Sequence, residues 1–174
     1  PKKLLDIDVT LSESAKGTLT FTLYDGETKI GERSTEFSGR VINAKWAVPN
    51  VKLWDIDNPN LYTIYIKLND SDETSVRFGF RECRFMKDGF YLNGKKIKIR
   101  GLNRHQSYPY VGYAMPKNVQ KADADLLKYE LGVNLARTSH YPDSVHFLDR
   151  CDEIGLLVFT EMPSWQYLGE GEWR

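Results

Sequence analysis

The chain has 174 residues, enough for one or two domains, and 41% of them are hydrophobic, which is typical of a globular protein and argues against disorder. It carries 24 Lys plus Arg and 24 Asp plus Glu, so its formal net charge is zero. This balance predicts neither nucleic acid nor an anionic membrane as a partner. No stretch is apolar over the length that spans a bilayer, and nothing in the sequence indicates a compartment.

The N-terminus and the cysteines say little about the parent protein. Pro1 in place of Met indicates an excised piece, so the lack of a visible secretory signal carries no conclusion. Cys83 and Cys151 lie far apart and lack the spacing of metal ligands. We expect Cys151 in the core of a helical segment, and a disulfide between the two cysteines stays open.

The first part of the chain has the pattern of β-strands. Leu5, Ile7 and Val9 alternate with polar residues, the pattern returns at Leu19, and Asp25-Gly26 then predicts a turn. Further strands are predicted at 28–33, 40–48, 61–68 and 74–82. Short strands separated by turn residues over about 80 residues favour an immunoglobulin-like β-sandwich, although the usual immunoglobulin Cys pair is absent.

After Arg84 the pattern changes to alternating strands and helices. A hairpin is predicted over 85–99 with its turn at Asn93-Gly94. Helices are then predicted at 117–131 and 144–154, and strands before, between and after them. The inward side chains of the first helix are expected to be Val119, Ala122, Leu126, Leu127 and Leu131. Those of the second are expected to be Phe147, Leu148, Cys151 and Ile154. The order β-α-β-α-β predicts a parallel α/β domain.

Polar side chains follow two of these strands where each strand ends. The run from Asn134 to Pro142 places Arg137, Ser139, His140 and Tyr141 at the end of a buried strand. Asn103 and His105 follow the preceding strand in the same way. In α/β barrels the active site lies at the carboxyl ends of the strands, so these residues are candidates for chemistry.

Three motifs, in order, resemble those of the family-2 glycoside hydrolases, which include β-galactosidases, β-glucuronidases and β-mannosidases. The first comprises Leu53-Trp54, Asn58-Pro59-Asn60-Leu61-Tyr62 and Phe78-Gly79-Phe80-Arg81. The second comprises Leu92-Asn93-Gly94-Lys95 and Arg100-Gly101-Leu102-Asn103-Arg104-His105-Gln106. The third comprises Asn134 to Pro142, Leu148, Cys151-Asp152-Glu153 and Gly155-Leu156-Leu157-Val158.

The resemblance implies a sandwich domain at 1–83 and the N-terminal portion of a TIM-barrel glycosidase domain at 84–174. The barrel portion would be an incomplete (β/α)8 barrel with the first three strands and two helices. A complete barrel takes about 250 residues, so the barrel cannot close here and we expect a truncated fragment of a larger enzyme. Its third strand would leave an open edge, which predicts self-association through that edge or loss of regular packing there.

The resemblance also assigns roles to the arginine and the two histidines at the strand ends. Arg137 would orient the nucleophilic carboxylate, with a structural ion pair as the alternative. His105 and His140 would bind the sugar, with backbone-satisfied loop histidines as the alternative. From their positions at the strand ends alone, Glu161 would bind substrate or shape the electrostatics, with a rim ion pair to Arg137 or a neighbour as the alternative, and Asn103 would brace its loop or bind the sugar. Trp165 would form a sugar-stacking wall or belong to the core.

Both catalytic Glu residues of the family lie on later barrel strands, so we expect them after Arg174 and the fragment itself to be inactive. Glu170 and Glu172 match no catalytic motif. Some family members bind a divalent metal just past the third strand, but Met162 to Tyr167 lacks the expected ligands. We therefore predict no metal and no cofactor, with magnesium as the family's exception.

The predicted parent hydrolyses terminal β-galactosides with retention. Asn103-Arg104-His105-Gln106 resembles the galactosidase version of its motif, whereas the glucuronidase version more often has Lys before the His. A β-glucuronidase or β-mannosidase of the same family is one alternative. A non-catalytic carbohydrate- or protein-binding module is another, since fold does not fix function.

Overall fold

The computed structural model of the protein describes residues 3–163. These residues form two compact units. The first unit runs up to Trp54 and includes Asn60–Phe80, and the second holds Asp55–Pro59 together with the chain from Arg81 onward. No helix within 3–163 is both long and apolar enough to cross a membrane.

The first unit is an antiparallel sheet with strand order β2-β1-β3-β4. Its strands are β1 (Lys3–Asp25), β2 (Thr28–Val48), β3 (Tyr62–Leu68) and β4 (Asp72–Phe78). The segments expected as separate strands before Asp25, and again between residues 28 and 48, are continuous in β1 and β2. A bulge between Thr10 and Ala15 absorbs the polar residues that interrupt the alternation.

This sheet folds back on itself, because the two ends of β1 lie close together. Lys3 pairs with Val48 at one end of β1, and Asp25 pairs with Tyr62 at the other. Lys52 follows Val48 by only four positions, and its N–H donates to the hydroxyl of Tyr62 at 2.7 Å. This contact links the two ends of β1. A single core follows, with buried side chains from β1, β2 and β3 and from Phe80: Ile7, Leu19, Phe21, Leu23, Ile42, Val48, Tyr62, Ile64, Ile66 and Phe80.

The second unit begins with a small antiparallel sheet in the order β5-β6-β7. Its strands are β5 (Cys83–Met86), β6 (Gly89–Leu92) and β7 (Lys95–Ile97). The predicted turn at Asn93-Gly94 is confirmed, with φ of 52° and 79°. The predicted hairpin is three-stranded rather than two-stranded, since a further turn after Met86 adds β5.

The rest of the second unit has the predicted order β-α-β-α-β. It comprises β8 (Gly101–Arg104), α1 (Lys117–Asp125), a π-helical turn (Leu126–Glu130), β9 (Leu135–Thr138), α2 (Val145–Ile154) and β10 (Leu157–Phe159). The sheet is parallel with β9 in the centre. The helices and sheet share one core, formed by Ala124, Leu127, Ala136, Phe147, Cys151, Ile154 and Leu156.

The buried face of α1 differs from the predicted one. Gln120, Ala124 and Leu127 are buried, whereas Ala122, Leu126 and Leu131 are exposed. Gln120 faces inward because it accepts a hydrogen bond from the buried Arg104 guanidinium, and the π-helical turn shifts only the phase of later side chains such as Leu131. The predicted face of α2 holds, with Ser144 as its N-cap and Gly155 as its left-handed C-cap. Both cysteines are free, Cys83 exposed and Cys151 buried.

Candidate functional site

The parallel sheet sorts its side chains between two faces, because successive residues of a strand point in opposite directions. On β9, Ala136 and Thr138 are fully buried, and Arg137 between them lies on the opposite, open face. On β8, Arg104 is buried and Asn103 is on the open face. Asn103 and Arg137 are register partners, so their side chains meet.

Arg137 joins the ends of all three parallel strands. Its Nη1 donates to Asn103 Oδ1 at 3.3 Å, and its Nη2 forms an ion pair with Glu161 Oε1. Glu161 is itself fixed, because its backbone N–H donates to Thr138 Oγ1 at 3.0 Å. The ion pair between Arg137 and Glu161 is therefore a contact of the folded chain.

The two histidines extend this cluster. His140 Nδ1 lies 3.2 Å from the second oxygen of Glu161, Oε2. The His105 and His140 rings meet edge to face, with centroids 5.4 Å apart and planes at 76°. We call the connected set Asn103, His105, Arg137, His140 and Glu161 the strand-end cluster. Of the predicted site residues, Trp165 lies outside the described part of the chain.

Residues outside the predicted site hold the loops of this cluster in place. The Gln106 N–H donates to the Tyr141 hydroxyl at 3.1 Å, and Gln106 Oε1 accepts from the Ser144 N–H at 2.7 Å. Each of these residues is adjacent to a cluster histidine or caps the following helix. Gln106 and Tyr141 lie inside the matched motifs, whereas Ser144 does not and is identified by its N-cap position.

Arg104 has a structural role beneath the site. Its guanidinium donates to Asp123 Oδ2 at 2.5 Å, Asp143 Oδ2 at 2.6 Å and Gln120 Oε1 at 2.8 Å. It also stacks on the Phe147 ring, 3.9 Å from the centroid. Because Arg104 is buried on the helix side of the sheet, its side chain does not contact a sugar bound on the open face.

The acidic partner of Arg104 is electrostatically costly. Burial raises the pKa of the Asp143 carboxyl above its usual value, and the hydrogen bond and charge of Arg104 counteract this only in part. One of its oxygens, Oδ1, has no hydrogen-bond partner. Burial likewise raises the pKa of the Cys151 thiol, so this group stays neutral in the core.

The strand-end cluster has the chemistry of a site for a polyhydroxylated ligand. A guanidinium, a carboxylate, an amide and two imidazoles offer both donors and acceptors on one open face. Among residues 3–163 no three His, Cys, Asp or Glu side chains are grouped so that they could hold a metal ion. The cluster contains a single carboxylate, Glu161.

Comparison with known proteins gives two family matches along the chain. Residues 2–81 match the model of "Glycosyl hydrolases family 2", and residues 84–168 match that of "Glycosyl hydrolases family 2, TIM barrel domain". The β-galactosidase of Thermoanaerobacterium thermosulfurigenes is 65% identical over 128 residues, or 72% of this chain and 18% of that protein. A putative β-glucuronidase of Formosa agariphila is 40% identical over 121 residues, or 67% of this chain and 15% of that protein.

Solved structures give the same result. The β-glucuronidase of Parabacteroides merdae superimposes with a TM-score of 0.78 and 32% identity over 93% of this chain and 22% of that one. A family-2 member from Bacteroides cellulosilyticus gives a TM-score of 0.82 and 27% identity over 92% of this chain and 24% of that one. The chain spans about a fifth of the length of the curated relatives it matches. A β-sandwich followed by the first strands and helices of a TIM barrel is thus confirmed, and the chain belongs to family 2 of the glycosyl hydrolases.

Proposed function

We propose that this chain is part of a retaining glycoside hydrolase that removes terminal β-galactosyl units. The observation that carries the proposal is the strand-end cluster, which gathers Arg137, His140 and Glu161 from adjacent parallel strands. Relatives named β-galactosidase, 65% and 55% identical over 72% of the chain, support the choice of sugar.

The chain contributes binding and positioning rather than bond cleavage. Retaining hydrolysis needs an acid/base and a nucleophilic carboxyl about 5–5.5 Å apart, and the cluster has one carboxylate. We assign both catalytic Glu residues to the remainder of the longer protein and expect the chain alone to be inactive. A β-galactoside is then the partner of the complete enzyme.

Arg137 is the positioning residue of this proposal. A guanidinium can hold more than one oxygen at once through its fork of N–H donors. Its Nη2 is engaged by Glu161 and its Nη1 by Asn103, which fixes its plane. Held in this way, it orients the nucleophilic carboxylate, while His105, His140 and Asn103 bind sugar hydroxyls. Trp165 is proposed as a stacking wall for the sugar.

A β-glucuronidase or β-mannosidase is the second candidate. The putative β-glucuronidase among the relatives, at 40% identity, and the β-glucuronidase structure, at 32%, favour it over other sugars. The Arg104 that had favoured a galactosidase is buried against Asp123 and Asp143. It therefore does not separate the two by direct contact.

The test is to express the longer protein that contains this chain and to assay it on nitrophenyl β-galactoside, β-glucuronide and β-mannoside beside the chain alone. Preferred cleavage of the galactoside by the longer protein, with an inert chain, supports the proposal. Preferred cleavage of the glucuronide or the mannoside would replace galactose with that sugar as the proposed substrate. If none is cleaved, the proposal of a non-catalytic binding module replaces that of an enzyme. Hydrolysis by the chain alone would contradict our assignment of the catalytic Glu residues to the rest of the longer protein.

Arg137→Ala in the longer protein tests the positioning role. We expect kcat to fall by about 100-fold with little change in KM, because the guanidinium acts on the nucleophile and not on the ground-state sugar. Val145→Ala, at an exposed position of α2, is the matched control. Equal kcat in Arg137→Ala and the unmodified protein would remove the role.

A further inference from the structure

The segment from Gln106 to Pro116, between β8 and α1, has an unusual composition. It contains no charged residue, in a chain of which 28% is charged, and it carries tyrosines at 108, 110 and 113. All three are exposed, Tyr110 completely and Tyr113 by 70%. We call this segment the tyrosine loop. Exposed aromatic surface without charge marks a ligand or partner contact more often than bare solvent exposure.

The tip of the loop is ordered. Tyr108 and Gly112 form an antiparallel bridge, with N···O distances of 3.1 and 2.9 Å in the two directions. Tyr110, at the tip, has a φ of 71°, a conformation that residues with a Cβ atom rarely adopt. A bulky side chain kept in this conformation and in full exposure gains nothing from its own packing.

The loop is joined to the strand-end cluster through Tyr141. The Tyr113 ring meets the Tyr141 ring edge to face at 6.2 Å. Tyr141 directly follows His140, and its hydroxyl accepts from the Gln106 N–H, next to His105, at 3.1 Å. The Tyr113 ring therefore lies beside Tyr141, the chain neighbour of His140, and Tyr110 lies on the same loop three residues before Tyr113.

We propose that the tyrosine loop forms the subsite for the leaving group of the substrate, and that it selects leaving groups that contain a ring with an apolar face. This inference rests on the proposed glycosidase function and goes beyond the sugar cleaved. A glycoside has two sides, and the polar cluster suits the hydroxyl-rich glycosyl side. Aromatic faces suit the apolar face of a second pyranose or of an aryl group, since both stack on tyrosine.

The test compares leaving groups in the longer protein, using nitrophenyl β-galactoside, a galactosyl disaccharide and β-galactosyl fluoride, which has no ring in its leaving group. Tyr110→Ala and Tyr113→Ala are expected to lower kcat/KM about five- to tenfold on the first two and to leave the fluoride unchanged. Tyr113→Phe keeps the ring and should retain activity. Tyr129→Ala, an exposed tyrosine of the π-helical turn, is the control.

The outcomes separate this inference from the proposed function. Equal loss on all three substrates, or none, overturns the subsite while leaving the glycosidase intact. If the unmodified protein cleaves none of them, the glycosidase fails, and saturation-transfer NMR with phenyl β-galactoside still tests the loop. Saturation transfer to the phenyl protons that is lost in the double variant Tyr110→Ala/Tyr113→Ala supports ring binding by the loop. No transfer to these protons from the unmodified protein would overturn the subsite. An altered oligomeric state in these variants would instead assign the loop to a protein contact.

Discussion

Arg104 and Arg137 lie near the ends of adjacent strands and have opposite environments. Arg104 is 5% exposed and bonded to Asp123, Asp143 and Gln120. The Arg137 side chain is 39% exposed and reaches Asn103 and Glu161. Their positions differ by one step of strand alternation, which directs one guanidinium to the helices and the other to the open face.

Arg104→Ala is expected to lower the free energy of unfolding by about 3–5 kcal/mol, because it leaves the buried Asp143 carboxylate without its cation. Urea unfolding followed by fluorescence measures the change. Arg84→Ala removes an arginine from a surface ion pair with Glu82, and this control should cost at most about 1 kcal/mol. Similar losses in both variants would contradict the buried network.

Asp143 predicts a pH dependence of stability. Its folded pKa lies above the usual 3.8, so between these two values the folded state binds more protons than the unfolded state. Stability from this group therefore falls as pH rises above about 3.8. Asp143→Asn should remove this component, so that unfolding free energies measured from pH 4 to 7 decline less steeply in the variant. A steeper decline in the variant would contradict the predicted sign of the Asp143 contribution to stability.

At the scale of elements, two helical segments end in a left-handed glycine but differ in what surrounds it. Gly132 has φ of 64° with open space where a Cβ would lie, whereas Gly155 has φ of 73° and would drive a Cβ into the Ile56 backbone. Lys128 Nζ donates to both Ile56 O and Gly155 O, at 2.6 and 3.0 Å. Gly155 is thus packed against the backbone of Ile56, whereas Gly132 has open space around it.

The two glycines give a matched pair of variants. Gly132→Ala should cost about 1 kcal/mol, from the left-handed backbone alone. Gly155→Ala should cost about 2–4 kcal/mol, since overpacking against Ile56 is added to the same backbone term. Thermal unfolding of both variants gives the comparison, and equal shifts in Tm would mean that the Ile56 segment moves aside freely.

At the scale of the whole molecule, the second unit leaves an apolar groove of about 630 Å³. It is lined by side chains of β5 and β6 such as Phe85 and Phe90 and by residues of the parallel sheet such as Leu135 and Phe159. Phe85 and Phe159 are more than half exposed. Apolar surface of this kind is a contact surface in other proteins. The groove adjoins the open edge at β10, through which we propose that the chain associates with itself.

Phe159→Glu should weaken this association, because a carboxylate would be buried in the contact. Light scattering coupled to size exclusion, over a range of concentrations, measures the mass of the chain. Val145→Glu places the same charge at an exposed apolar position of α2 and should leave the mass unchanged. A monomer at all concentrations in the unmodified chain would exclude self-association.

The sequence by itself determined the features that depend on local pattern. Period-two alternation predicted the strands, Asn93-Gly94 predicted the turn between β6 and β7, and Gly155 predicted the end of α2. Each of these features follows from the conformational preferences of a few adjacent residues. The predicted strand order also placed five polar residues at one end of the sheet: Asn103, His105, Arg137, His140 and Glu161. Parallel strands have their carboxyl ends on one side, so this grouping needs no knowledge of side-chain contacts.

Only the tertiary structure decided which partners these residues take. Arg104 binds Asp123 and Asp143, which are 19 and 39 positions away, and no local pattern selects them. The fold-back of β1 depends on the pairing of β2 and β3 with its two ends, and the buried face of α1 depends on Gln120 meeting Arg104. These choices arise from contacts between distant segments, where burial and charge pairing outweigh local propensity.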